Sequence, residues 1–343
     1  MAKQSLAIKY RPKTWSDVTE QEEIKIILQQ QLSNNEIVHG YLFCGPAGCG
    51  KTTAARIFAN EINDGKGSPI ELDAASNNSV EDIRRLIEQA QTQSLDSEYK
   101  VFILDEVHML SNSAWNAFLK TLEEPPAKSI FIMATTDPQK IPATILSRTQ
   151  RYNFQRISMK GICKRLEYII NAEQNEQNNF VNIDKSAIEY IAKLSEGGMR
   201  DAITLMDKCL SYSTELTLEN VVNALNVVDY TMMFKLTEAV ASDDKIQVIE
   251  LIENLYNSGK DLKQFVKQYA QFLLDTEKYY IGCDWKYINM PKIQEYRDWL
   301  LHMAERTSDI QEILNVVIKL DAEIKYSSTP KYDVEATLIG VCL

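Results

Sequence analysis

No run of apolar residues in this 343-residue sequence approaches the roughly 18 that a membrane-spanning helix needs, which excludes an integral membrane protein of the helical kind. The opening residues Met1-Ala2-Lys3-Gln4 form no hydrophobic signal region, so the cytoplasm is the expected location. The six cysteines, Cys44, Cys49, Cys163, Cys209, Cys283 and Cys342, are scattered, and none forms a C-x-x-C pair. That spacing excludes a disulfide framework and a zinc ribbon and leaves buried free thiols. No internal repeat is visible. Basic charge is also short: 37 lysines and arginines against 48 aspartates and glutamates give a net charge of −11, the wrong sign for a protein that grips nucleic acid over its whole surface. The deficit is uneven. Residues 1–157 carry 17 basic and 19 acidic side chains, so about −9 of the charge lies in residues 158–343. The first part can still present a local basic face, whereas the second is unsuited to phosphate contacts.

The composition that is present, 45% apolar and 25% charged, is that of an ordinary globular chain of two or three domains. Its first half alternates short apolar runs with helical patterns. Tyr41–Cys44, Val101–Leu104 and Ile130–Met133 are strong strand candidates, Pro69–Leu72 is a weaker one, and Arg151–Phe154 is a possible last strand. Continuous apolar strands separated by helices indicate a parallel sheet covered on both faces. Beyond residue 157 helical periodicity takes over, as in Ile188, Ile191, Ala192 and Leu194 before the break at Gly197-Gly198. Long helices follow from about residue 227, punctuated by Pro291 and Pro330, while Asn171–Asn179 reads as a helix end and exposed loop.

Gly45-Pro46-Ala47-Gly48-Cys49-Gly50-Lys51-Thr52 fits G-x-x-x-x-G-K-[ST] in full. Its glycines permit a tight turn whose backbone N–H groups surround phosphate oxygens. Lys51 reaches the β- and γ-phosphates, the Thr52 hydroxyl ligates Mg²⁺, and the helix running on from Thr53 presents its positive end to the same phosphates. An apolar strand before the loop and an alanine-rich helix after it supply the context the mechanism requires. The run ending in Asp105-Glu106 delivers two carboxylates to the sheet edge that faces the nucleotide. There Asp105 holds the metal through water and Glu106 polarises the attacking water. Thr136, in Ala134-Thr135-Thr136, ends the next strand, where a polar group can sit beside the γ-phosphate; on spacing alone it is equally an ordinary strand end. Arg148 and Arg200 read either as surface arginines or as the extra positive charge that γ-phosphate hydrolysis needs.

These pieces resemble the AAA+ clamp-loader family, and within it the gamma/tau subunits of bacterial DNA polymerase III. The resemblance extends beyond the nucleotide motifs to Tyr10-Arg11-Pro12-Lys13-Thr14-Trp15, Glu71–Asn78, His108-Met109-Leu110-Ser111, Ala117–Pro126 and Ala134–Arg148, and it covers residues 1–225 well. It implies an α/β P-loop AAA+ module with a five-stranded parallel sheet over residues 1–157, a small helical lid over 158–226 and an all-α C-terminal collar over 227–343. It further implies that Tyr10, Arg11 and Pro12 lie beside the adenine and that Thr136 senses the γ-phosphate. Arg148 would be an arginine finger for the neighbouring subunit, and Arg200 the lid sensor of its own site. Arg84 matches a position near the DNA backbone, although a helix-surface arginine is the commoner reading. ATP and Mg²⁺ are the implied cofactors. The implied partners are the sliding clamp, δ-type and δ′-type subunits, further copies of this chain in a pentameric ring, and primer–template DNA held through its backbone. The implied activity is ATP-driven opening and loading of the clamp, in the bacterial cytosol or nucleoid or in a virus-infected bacterial cell. A structural ring subunit and another AAA+ DNA-remodelling ATPase are the alternatives.

Three departures from the family pattern stand out. The stretch Asn63–Pro69 is too short, and has no cysteine, for the family's zinc module. Ser147-Arg148-Thr149 replaces Ser-Arg-Cys with the finger itself intact. The sequence ends where a collar would end, so the compact form without a τ-type tail is expected.

Overall fold

Five strands pair side by side in the computed structural model, which describes residues 4–92, 94, 96–177, 182–225, 230–290 and 294–342. They are β1 (Gly40–Cys44), β2 (Ile70–Asp73), β3 (Lys100–Asp105), β4 (Ser129–Thr135) and β5 (Gln150–Asn153). The order is β2-β3-β4-β1-β5 and every pairing is parallel, as the sequence pattern requires. Pro69, with no N–H for the ladder, stays outside β2. In this register Cys44 lies opposite Thr135, and Asp73 opposite Asp105, at one carboxyl edge.

Helices flank the strands: α1 (Leu6–Lys9), α2 (Glu22–Ser33), α3 (Lys51–Ile62), α4 (Val80–Ala90), α5 (Asn112–Glu123), α6 (Ala143–Leu146) and α7 (Met159–Gln177). The period-2 alternation of side chains sorts the apolar residues onto two faces. Tyr41, Phe43, Ile103 and Ile132 pack with Leu28 of α2 and Ala55 and Phe58 of α3. Leu42, Phe102, Leu104, Phe131 and Met133 pack with Ile83 of α4 and Trp115 and Phe118 of α5. On the second face Phe131 stacks with Phe102 at 5.2 Å and meets Phe118 edge-on at 5.1 Å. Helix α4 opens with a capping box. The Ser79 hydroxyl accepts from Asp82 N, and Asp82 Oδ2 accepts from Ser79 N, each at 3.2 Å. Its bond to Ser79 holds the Asp82 carboxyl below its ordinary pKa.

The chain divides into two compact units, one of Met1–Phe180 with Ile191–Asp207, the other of Val181–Tyr190 with Lys208–Leu343. Helices α8 (Lys185–Leu194) and α9 (Met199–Tyr212) pass from one to the other. The second unit is helical among its described residues: α10 (Leu218–Leu225), α11 (Tyr230–Ala241), α12 (Lys245–Asn257), α13 (Leu262–Tyr280), α14 (Gln294–His302), α15 (Thr307–Glu323) and α16 (Pro330–Val341). Its core joins Phe265, Tyr269 and Phe272 of α13 to Ile310, Ile313 and Val317 of α15. Phe234 and Trp299 stack at 4.3 Å beside them. The buried carboxylate of Asp275 is satisfied by Lys278 Nζ at 2.9 Å and the backbone N–H of Asn289 at 2.8 Å. Pro330 takes the first position of α16, where its missing N–H costs nothing; Pro291 and the last residues of Asn171–Asn179 lie outside the described residues. Among the described residues no helix is long and apolar enough to cross a membrane.

Phe131 is fully buried between two rings. Phe131→Ala is expected to cost about 3–5 kcal/mol, read as a lower urea midpoint of the first unit; an unchanged midpoint would refute the packing role given to this ring.

Candidate nucleotide site

The turn after β1 folds as it does because side chains are excluded from it. Gly45 has φ +154°, and a Cβ there would stand 2.5 Å from the carbonyl oxygen of Phe154. Gly48 has φ +70°, and its Cβ would stand 2.9 Å from Gly198 Cα. Both contacts lie under van der Waals separation, so only glycine allows the loop to lie flat against its neighbours. Gly50 caps α3 with φ +103°, and the first-turn amides of Lys51, Thr52 and Thr53 then lack intrahelical acceptors, which makes the helix start an anion site. Lys51 is 5% exposed, and its Nζ donates at 2.8 Å to the carbonyl oxygens of Gly45 and Pro46. Burial pushes the Cys44 and Cys49 thiols up, so both stay neutral within the loop.

The parallel register carries β3 to the same edge. Thr52 Oγ1 donates to Asp105 Oδ2 at 2.6 Å, while Asp105 Oδ1 accepts from Glu106 N at 3.0 Å. A hydroxyl and a carboxylate brought together from two elements form an oxygen donor set that suits a hard cation such as Mg²⁺. Glu106 adopts the left-handed conformation, φ 47° and ψ 43°, a backbone cost of about 1–3 kcal/mol that clusters at functional sites. Its Oε2 accepts from Thr136 N at 3.2 Å and from Thr136 Oγ1 at 2.9 Å. The candidate water-activating carboxylate and the candidate phosphate sensor therefore touch.

Gly48, Cys49, Gly50, Lys51, Thr52, Thr53, Asp105 and Glu106 line a cleft of about 290 Å³ that also takes in Tyr10, Arg11, Pro12 and Arg200, while Thr136 stands behind Glu106, outside its lining. Helix α9 is fastened to the loop, since Met199 N donates to Gly48 O at 3.0 Å, and that fixes Arg200 one residue further on. Arg165, on α7, also lines the cleft and was not singled out from sequence. It donates to the Tyr10 carbonyl at 2.9 Å, and Tyr10 Oη donates to Glu173, also on α7, at 2.7 Å. An arginine inside a polar helix carries no pattern that would have marked it; only the fold sets it against Tyr10.

Two predicted site residues lie elsewhere. Arg148 precedes β5, whose Gln150 pairs with Tyr41, so it sits at the amino edge of the sheet. There its Nη2 pairs with Glu123 Oε1 at 2.7 Å and its Nη1 donates to Thr144 O at 2.8 Å. Arg84 is exposed in the first turns of α4, away from the cleft lining.

Comparison with known proteins matches three consecutive segments to families: residues 69–158 to "DNA polymerase III, delta subunit", 161–215 to "DNA polymerase III clamp loader subunit, ATPase lid domain", and 216–343 to "DNA polymerase III subunits gamma and tau domain III". The DNA polymerase III subunit gamma of Buchnera aphidicola is 30% identical over 98% of both chains. The subunit tau of Bacillus subtilis is 34% identical over 100% of this chain and 64% of its own, and that of Escherichia coli 37% identical over 76% and 43%. The chain thus spans well under two thirds of the Escherichia protein and just under that share of the Bacillus one. Among solved structures, the Thermotoga maritima RuvB Holliday junction branch migration motor superposes with a TM-score of 0.51 at 21% identity, over 67% of this chain and 79% of its own. That likeness bears on the fold.

Gly45→Ala forces a methyl group onto the Phe154 carbonyl. Nucleotide affinity is expected to fall roughly thirty-fold, equivalent to about 2 kcal/mol, in a titration with a fluorescent ATP analogue; wild-type affinity would show that the loop tolerates a side chain.

Proposed function

The chain belongs to the DNA polymerase III gamma/tau family of clamp-loader AAA+ ATPases, and from that premise we propose that it binds ATP and Mg²⁺ in the cleft around Lys51 and uses hydrolysis to open the sliding clamp and load it on primed DNA. The observation that carries this reading is the separation of the two halves of the chemistry. Lys51, Thr52, Asp105, Glu106 and Thr136 gather at the carboxyl edge of the sheet. Arg148 is held at the amino edge, beyond the five-residue strand β1, a span of about 16 Å. A finger so placed serves a nucleotide on a neighbouring copy, which requires a ring.

In this reading the amides of Gly48 to Thr53 and the Lys51 ammonium bind the phosphates, and Tyr10, Arg11 and Pro12 border the base. Thr52 and Asp105 hold Mg²⁺, which when bound neutralises charge on the phosphate oxygens. Glu106 takes a proton from the attacking water, Thr136 and Arg200 read the γ-phosphate from within the chain, and the neighbour's Arg148 stabilises the charge that develops on transfer. The δ-type and δ′-type subunits, the clamp and primer–template DNA complete a pentameric assembly in the bacterial cytosol or nucleoid. Arg84 contacts the DNA backbone, so binding falls with salt and ignores sequence. The division at 157/158 and 226/227 into nucleotide module, lid and collar belongs to the same proposal.

The test is steady-state ATPase of the chain assembled with δ-type and δ′-type subunits, with and without clamp and primed DNA. Stimulation by both, and a fall of roughly 10³-fold or more in Arg148→Ala, is the expected result. Mixing Lys51→Ala chains with Arg148→Ala chains restores a fraction of the turnover, because one intact half-site from each can meet. Turnover indifferent to clamp and DNA would point to another AAA+ function, and full loading by a Lys51→Ala ring to a structural subunit.

A further inference from the structure

We infer that His108 is a positioning residue for Glu106, holding the carboxylate in place while Thr136 turns to the γ-phosphate; this rests on the ATPase reading above. His108 sits in the short turn Val107–Met109 directly after Glu106, with its side chain 12% exposed. Its Nδ1 lies 3.2 Å from Glu106 Oε2 and 3.2 Å from Thr135 Oγ1. An unprotonated Nδ1 would set its lone pair against the carboxylate oxygen, so the tautomer with Nδ1–H is the one that favours this contact. Thr135 is fully buried at the end of β4, and its hydroxyl accepts from Asp137 N at 3.0 Å, which holds its oxygen against the same ring nitrogen.

Two Thr136 donors, the amide and the hydroxyl, converge on Oε2, and His108 Nδ1 stands 3.2 Å from the same oxygen. None of these three engages Oε1, so Oε1 is the oxygen presented to a water. The Thr136 hydroxyl cannot donate its single proton to Glu106 and to a γ-phosphate at once. When it serves the phosphate, Glu106 keeps the amide and His108, and of those two only His108 is a side chain that mutation can remove. Its contribution is thus greatest during turnover and small in nucleotide binding, since no phosphate contact passes through it.

The experiment compares wild type, His108→Ala, His108→Asn and Lys51→Ala, each as the full chain in the reconstituted ring with clamp and primed DNA. It reads kcat, KM for ATP, the affinity for a fluorescent ATP analogue, and the melting curve. His108→Ala is expected to lose about ten-fold or more in kcat with KM and affinity changed by no more than about two-fold. Asparagine places an amide N–H near the position of Nδ1, so His108→Asn is expected to recover to within about three-fold of wild type. Wild-type kcat in His108→Ala overturns the inference, as does a matching loss of nucleotide affinity. If His108→Ala melts early, His108→Asn decides, since a natively melting asparagine variant as slow as Lys51→Ala also overturns it. Absence of turnover in wild type itself would instead remove the ATPase reading, and the inference with it.

Discussion

Parallel pairing of β1 with β4 and of β3 with β4 places the carboxyl ends of three strands in one line, and the candidate site depends on that register. The loop after β1 supplies Lys51 and Thr52, the end of β3 supplies Asp105 and Glu106, and the end of β4 supplies Thr136. A slip of one residue in β3 would exchange its two faces. Ile103 would leave the α2 and α3 side while Phe102 and Leu104 left the α4 and α5 side. The apolar cores on both sides of the sheet therefore fix the position of the carboxylates to the accuracy of a hydrogen bond, as the 2.6 Å contact between Thr52 and Asp105 shows.

The same register makes the opposite edge a separate place. Arg148 is fastened there by Glu123 at the end of α5 and by the carbonyl of Thr144. Holding a guanidinium in one geometry lowers the entropy it must lose when it meets a phosphate. The carboxylate that holds it also competes for its charge, so in the proposed finger role Arg148 would exchange Glu123 for the phosphate rather than arrive as a free cation.

Much of this was legible in the sequence, for reasons particular to each element. The P-loop could be read because its chemistry demands glycines at fixed spacing, and Gly45 and Gly48 do occupy positions where a Cβ collides. Asp105-Glu106 could be read because a fully buried strand must be continuously apolar up to the sheet edge, where polar side chains are admitted. The central strands β1, β3 and β4 followed from the same rule, whereas the edge strands β2 and β5 are half polar and showed only as weaker candidates, shifted by one residue. What stayed hidden is what depends on side chains meeting across long separations. His108 stood in the text only as part of a signature, and its approach to Glu106 accompanies a left-handed backbone that no composition announces. Arg165 becomes a neighbour of Tyr10 only when α7 packs along α1, 155 residues away in sequence. The carboxyl group on Asp275 reads as one more surface charge of an acidic segment, yet it is buried and satisfied within the second unit.

Three polar side chains at this edge of the sheet share one property that bears on the proposed nucleotide site. Lys51 is bonded to two carbonyl oxygens of its own loop, the Thr52 hydroxyl to Asp105, and the Thr136 hydroxyl to Glu106. Each is satisfied without a ligand, so none carries the penalty of an orphaned buried donor. A bound triphosphate must displace these bonds one by one, and the gain from each is the difference between two hydrogen bonds rather than the whole of one. In the proposed role of Thr136, a γ-phosphate competes with Glu106 for its hydroxyl proton, while the uncapped amides at the start of α3 bind phosphate without giving up a partner.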